Sequence, residues 1–121
     1  MAKILIVDDD ESFLHQYSTI LANHGYEIET VLNATDVFES IEVFKPDLIL
    51  LDTFLSTYDG RTIGKMIKLT KGISHIPIIL CSADSHIANT GYHSAADFFI
   101  SKPFELEKLL DAIEVLINKP R

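Results

Sequence analysis

The sequence predicts an α/β fold: a doubly wound, five-stranded parallel sheet in the order 2-1-3-4-5, with helices on both faces. Three observations predict it. Apolar, strand-like runs alternate with amphipathic helical stretches along the whole 121-residue chain. The first, third and fourth runs are apolar at nearly every position, as in strands covered on both faces. The second run alternates instead, as an edge strand does, and right-handed crossovers then leave few arrangements.

The strand-like runs are "KILIVD" (3–8), "YEIETVL" (26–32), "PDLILLD" (46–52), "IPIILCS" (76–82) and "DFFIS" (97–101). After the first run, Phe13, Leu14, Tyr17, Ile20 and Leu21 fall on one helical face. Asp10 is placed to cap that helix, and Gly25 can take the left-handed conformation that ends it. A second helix carries Val37, Phe38, Ile41 and Phe44 on one face. A third follows a "DG" turn and presents Ile63, Met66 and Ile67. The stretch "SHIANTGYHSA" (85–95) contains Asn, Thr and Gly together, all poor helix formers, and predicts a short or irregular fourth helix. The last helix is the clearest, with Leu106, Leu109, Leu110, Ile113, Leu116 and Ile117 in a continuous stripe.

The length suits one domain over residues 1–121. No apolar run approaches the roughly 20 residues that a membrane-spanning helix needs. The start "MAKILIVDDDE" lacks the layout of a secretory leader, because acids follow the apolar stretch at once. A single cysteine, Cys81, fits a reducing compartment and reads as a small core hydrophobe. The expected location is therefore the cytoplasm. A net charge of −8 argues against nucleic acid as a direct partner. It is compatible with a divalent metal or a basic protein surface.

In such a sheet all strands end along one rim, and ligands bind where the strand order reverses. The first strand runs into Asp8, Asp9 and Asp10; the third ends in Asp52, the fourth in Ser82, and the fifth runs into Lys102. Taken singly, each residue has an ordinary reading as a cap, a turn residue or a solvated lysine. Taken together they place acids, a hydroxyl and an ammonium on one rim of an otherwise apolar sheet. Two carboxylates about 4 Å apart repel by roughly 4 kcal/mol at an effective dielectric near 20. A divalent cation would relieve that repulsion. Oxygen ligands with open positions suit Mg²⁺. An aspartate can also act as a nucleophile toward phosphorus, with a metal, a lysine and a hydroxyl sharing the charge of the transferring group.

The segments "ILIVDDDE", "PDLILLDTFLSTYDG", "IPIILCSAD" and "FFISKPF" resemble the receiver domain of two-component response regulators over essentially the whole chain. The resemblance implies the flavodoxin-like fold and a phosphorelay role. Asp52 would accept a phosphoryl group from a histidine kinase or phosphotransfer protein. Asp9, Asp52 and the backbone carbonyl of Phe54 would ligate Mg²⁺, with Asp8 acting through water. Ser82 and Lys102 would contact the phosphoryl oxygens, and Phe99 would be the aromatic switch. Lys102–Pro103 would be a cis peptide. The output surface would be the face of helix four, strand five and helix five, where a phosphorylation-dependent homodimer could form.

Several positions depart from the family pattern. Ser56 replaces the usual proline, which predicts a freer loop after the acceptor. Phe54 places a bulky side chain beside the site. Ser82 stands where Thr is common, Ala95 where Gly is common, and the interval from Ser82 to Lys102 is slightly short. No catalytic group is lost. Other readings are a degenerate receiver serving as a constitutive interaction module, a flavin mononucleotide carrier and a Mg²⁺-dependent phosphohydrolase. The retained Asp8, Asp9, Asp52, Ser82 and Lys102 argue against the first. "DDDES" would repel a flavin phosphate, and the last would need a general acid to promote turnover of the phospho-aspartate, for which the sequence offers no clear candidate.

Overall fold

The structure, a computed structural model, describes residues 1–56, 58–83 and 96–118. Five parallel strands form the sheet: β1 (Lys3–Val7), β2 (Glu27–Val31), β3 (Leu48–Asp52), β6 (Ile78–Ser82) and β7 (Phe98–Ser101). Their order is β2-β1-β3-β6-β7, the predicted 2-1-3-4-5. The two intervening strands, β4 (Phe54–Leu55) and β5 (Tyr58–Asp59), make a separate antiparallel hairpin that strand periodicity did not foretell. Two-residue strands are too short to show a period.

The central strands β3 and β6 are buried at every position, whereas β2 is mostly exposed and lies at the edge. The pleat sorts their side chains into two cores. On one face Ile4, Ile6, Leu48, Leu50, Ile79, Cys81 and Ile100 meet helices α1 (Glu11–Asn23) and α4 (Leu106–Ile117). On the other, Leu5, Val7, Ile49, Leu51, Ile78 and Leu80 meet α2 (Val37–Phe44) and α3 (Gly60–Lys68). Truncating a fully buried residue such as Leu50 to alanine would cost roughly 2–5 kcal/mol.

The helix ends follow their local chemistry. Asp10 caps α1 as expected, its carboxylate accepting from the amides of Ser12 and Phe13 at 2.9 and 3.3 Å. Gly25, at φ 92°, turns the chain after this helix. The α2 helix stops at Lys45, which takes the left-handed conformation (φ 55°) before Pro46. A residue preceding proline is driven out of the right-handed helical region, so the helix cannot continue. The α3 helix begins at the predicted "DG", with Asp59 accepting from the amide of Arg61 at 2.8 Å. Its buried face is Gly60, Ile63, Gly64 and Ile67. Met66 is half exposed rather than part of that face, because it lies one step off the stripe. The stripe of α4 is as expected, with Leu109, Ile113 and Leu116 buried.

At the opposite end of the sheet, Asp97 ties β6 to α3. One carboxylate oxygen accepts from the Ile78 amide at 2.8 Å and from Lys68 Nζ at 2.9 Å. The expected irregular helix over 85–95, with Ala95, lies outside the described residues. Among the described residues no helix is long and apolar enough to cross a membrane.

Candidate functional site

The side chains of β1 that face α1 and α4 are Ile4 and Ile6, so the same alternation carries Asp8 to that side. Leu50 does the same for Asp52, and Ile100 for Lys102. Register brings the ends together: Val7 pairs with Leu51, and Asp52 with Cys81. One carboxylate oxygen from each of Asp8, Asp9 and Asp52 lies within 4.8 Å of the others. Asp8 is 1% and Asp52 8% exposed, so two of the three acids have little water around them.

Lys102 reaches into this cluster. Its Nζ lies 2.8 Å from Asp8 and 3.4 Å from Asp52. It also stands 4.0 Å from the centre of the Phe13 ring, itself packed on Tyr17 and near Phe104. The aromatic face attracts the ammonium electrostatically and keeps it over the acids. Burial pushes the Asp52 carboxyl up to about 6; the charge of Asp8 adds to this, while Lys102 pulls the other way. For Lys102, burial lowers the pKa, but the hydrogen bond to Asp8 and the charges of Asp52 and Asp8 outweigh it and raise the value overall. Three carboxylates against one ammonium leave excess negative charge when all are ionised. That donor set, hard oxygens held close together with open directions toward the rim, fits Mg²⁺.

The hairpin closes the site on the other side. Ser56 has φ 56°, and its amide and hydroxyl both donate to Oδ2 of Asp9, at 3.0 and 3.2 Å. The loop after β3 is therefore pinned where the sequence predicts it freer. Proline, locked near φ −65°, could not take this conformation or donate the amide bond. Phe54 begins the hairpin with its side chain half exposed, one residue beyond Thr53.

Ser82 is buried and ends β6, one residue beyond the partner of Asp52; its carbonyl accepts from the Lys102 amide at 2.7 Å. Phe99 is half-buried in β7 and packs against the α2–α3 core. Lys102–Pro103 is cis, as the resemblance implied. Cys81 is buried behind Asp52, and burial pushes its thiol up to about 12, which suits a core residue and not a nucleophile.

Two contributors were not legible as such in the sequence. In the sequence Gly60 is simply half of a "DG" turn, yet a β-carbon at this position would run into the Asp52 carbonyl. Phe13 reads in the sequence only as part of a helix stripe, yet its ring lies under the Lys102 ammonium.

Comparison with known proteins agrees with the geometry. A family model described as the response regulator receiver domain matches residues 4–114. The DNA-binding dual master transcriptional regulator RpaA of Synechocystis is 29% identical over 98% of this chain and 50% of its own length. The chain thus spans about half the length of the curated relatives it matches. Among solved structures, response regulator TrrA of Thermotoga maritima, in complex with Mg²⁺–BeF, is similar with a TM-score of 0.88 and 28% identity, covering 96% of this chain and 99% of that one. The receiver domain of a histidine kinase from Syntrophus aciditrophicus is similar at TM-score 0.88 and 26% identity, covering 100% and 96%. Family match, strand order and acidic cluster agree: the chain belongs to the response regulator receiver domain family.

Proposed function

We propose that the chain is a single receiver unit, placed in the cytoplasm, whose Asp52 accepts a phosphoryl group from a phosphohistidine of a sensor kinase or phosphotransfer protein. The observation that carries this reading is the cluster of Asp8, Asp9 and Asp52, in which Lys102 bridges Asp8 and Asp52. Asp8, Asp9, Asp52 and the Phe54 carbonyl would hold Mg²⁺. When bound, the metal neutralises charge between the carboxylates and the phosphoryl oxygens.

The chain's own residues do the rest. Asp52 must be ionised to act; burial raises its carboxyl in the metal-free site, and the nearby Lys102 ammonium favours the ionised form. Its carboxylate oxygen forms a bond to phosphorus as the P–N bond of the phosphohistidine breaks, the electron pair staying on the imidazole nitrogen. Lys102 is already within reach of Asp52 and transfers its ammonium contact to a phosphoryl oxygen. The hydroxyl of Ser82 supplies a second contact at the rim. Drawing Ser82 and Lys102 toward the new charge changes the packing around Phe99, which repacks the face formed by β7 and α4. That face is the proposed output surface and the site of any phosphorylation-dependent dimer.

Intact-mass spectrometry after treatment with acetyl phosphate and Mg²⁺ tests the assignment. One phosphoryl group should add to the wild type and none to Asp52→Asn. An equal gain in the variant would place the acceptor elsewhere.

A further inference from the structure

Ser56 uses both of its donors on one atom. Its amide and its hydroxyl meet Oδ2 of Asp9, while among the described residues no donor reaches Oδ1. A carboxylate oxygen offers about two lone-pair sites, so Oδ2 is filled and Oδ1 is left for a cation. Local structure sets the arrangement. Ser56 directly follows Leu55, which pairs with Tyr58 across the hairpin, and it takes a positive φ of 56°. Leu55 is buried and anchors the hairpin against the α2–α3 core.

We propose that Ser56 restricts Asp9 to one ligand oxygen and so tilts the acidic cluster toward Mg²⁺ over Ca²⁺. Mg²⁺ demands octahedral geometry and takes carboxylates one oxygen at a time, whereas Ca²⁺ accepts more ligands and often grips both oxygens of a carboxylate. Ser56 is thus a positioning residue, acting on the cation through Asp9. The inference rests on the metal-dependent reading above.

Calorimetric titration of the full chain with Mg²⁺ and with Ca²⁺ tests it, comparing wild type, Ser56→Ala and Ser56→Gly. Both variants keep the amide bond and lose the hydroxyl, which reopens one site on Oδ2. Glycine also takes φ 56° without strain, so it keeps the test valid if alanine disturbs the turn. The expected result is a loss of Mg²⁺ affinity of roughly tenfold, the lower end of what losing an outer ligand contact costs. Ca²⁺ affinity should be kept or improved, so the Mg²⁺/Ca²⁺ ratio falls. Equal losses for both ions, or an unchanged ratio, would overturn the inference while leaving the metal site standing. Failure of the wild type to take up Mg²⁺ would remove the underlying reading and this inference with it.

Discussion

Gly60 and Asp52 touch through their backbones: a β-carbon at Gly60 would overlap the carbonyl oxygen of Asp52 and come within 2.9 Å of its carbonyl carbon. The Gly60 amide also donates to the Thr53 carbonyl at 2.8 Å. The first turn of α3 is therefore seated directly on the end of β3, and no flexible side chain can yield to make room.

Gly60→Ala should accordingly destabilise the fold by at least the roughly 1–3 kcal/mol typical of overpacking, since backbone must move. It should also weaken Mg²⁺ binding by displacing Asp52. Urea unfolding with and without Mg²⁺ measures both effects. A variant of wild-type stability would mean the contact relaxes freely.

Asp9→Ala should abolish the rise in melting temperature on adding millimolar Mg²⁺, because a ligand selective for the folded state stabilises it. Without metal the variant should lie close to wild type, since relief of the repulsion among three carboxylates offsets the loss of the two exposed Ser56 hydrogen bonds. A full Mg²⁺ shift in the variant would show that Asp9 is not a ligand.

The Asp52 pKa carries a pH signature. Its folded value, about 6, lies above the ordinary 3.8, so the folded state holds the proton more tightly than the unfolded chain does. Stability from this group is present at low pH and is lost as pH rises through about 4 to 6. That difference corresponds to at most about 3 kcal/mol. In EDTA, Asp52→Asn should match wild type near pH 4 and exceed it at pH 7. Mg²⁺ affinity of the wild type should fall as pH drops below 6, as protons compete for Asp52. Parallel stability curves for the two proteins across this range would contradict the raised value.

Lys102→Ala should destabilise the metal-free protein by leaving Asp8 and Asp52 without their ammonium partner. Because the ammonium competes with a cation for those oxygens, Mg²⁺ should raise the melting temperature of the variant by more than it raises that of the wild type. Differential scanning fluorimetry against Mg²⁺ concentration reads this directly. A smaller shift would make Lys102 a helper in metal binding rather than a competitor.

Asp97 serves as a control far from the site. Asp97→Ala leaves the Ile78 amide without its side-chain acceptor and Lys68 without its ion pair. The expected cost is about 1–3 kcal/mol, with an undiminished Mg²⁺ effect. Chemical denaturation with and without the metal separates the two.

The sheet and its rim were readable from one sequence because they rest on repeating signals. Uniformly apolar runs mark buried strands, an alternating run marks an edge, and parallel order then places the ends of β1, β3, β6 and β7 side by side. Asp8, Asp9, Asp52, Ser82 and Lys102 follow from that placement, and Asp10 announces itself as a cap by position alone. Other relationships came only with three dimensions. The hairpin of Phe54–Leu55 and Tyr58–Asp59 is too short to carry a period. The seat of Gly60 on Asp52, the ring of Phe13 over Lys102 and the grip of Ser56 on Asp9 join residues from separate elements. Their identities carry no sign of one another. A serine in place of proline reads in sequence as a loosened loop. In the fold it is a tightened one, because a positive φ aims two donors at one carboxylate oxygen. Periodicity reports which face a side chain takes; only packing reports what it meets there.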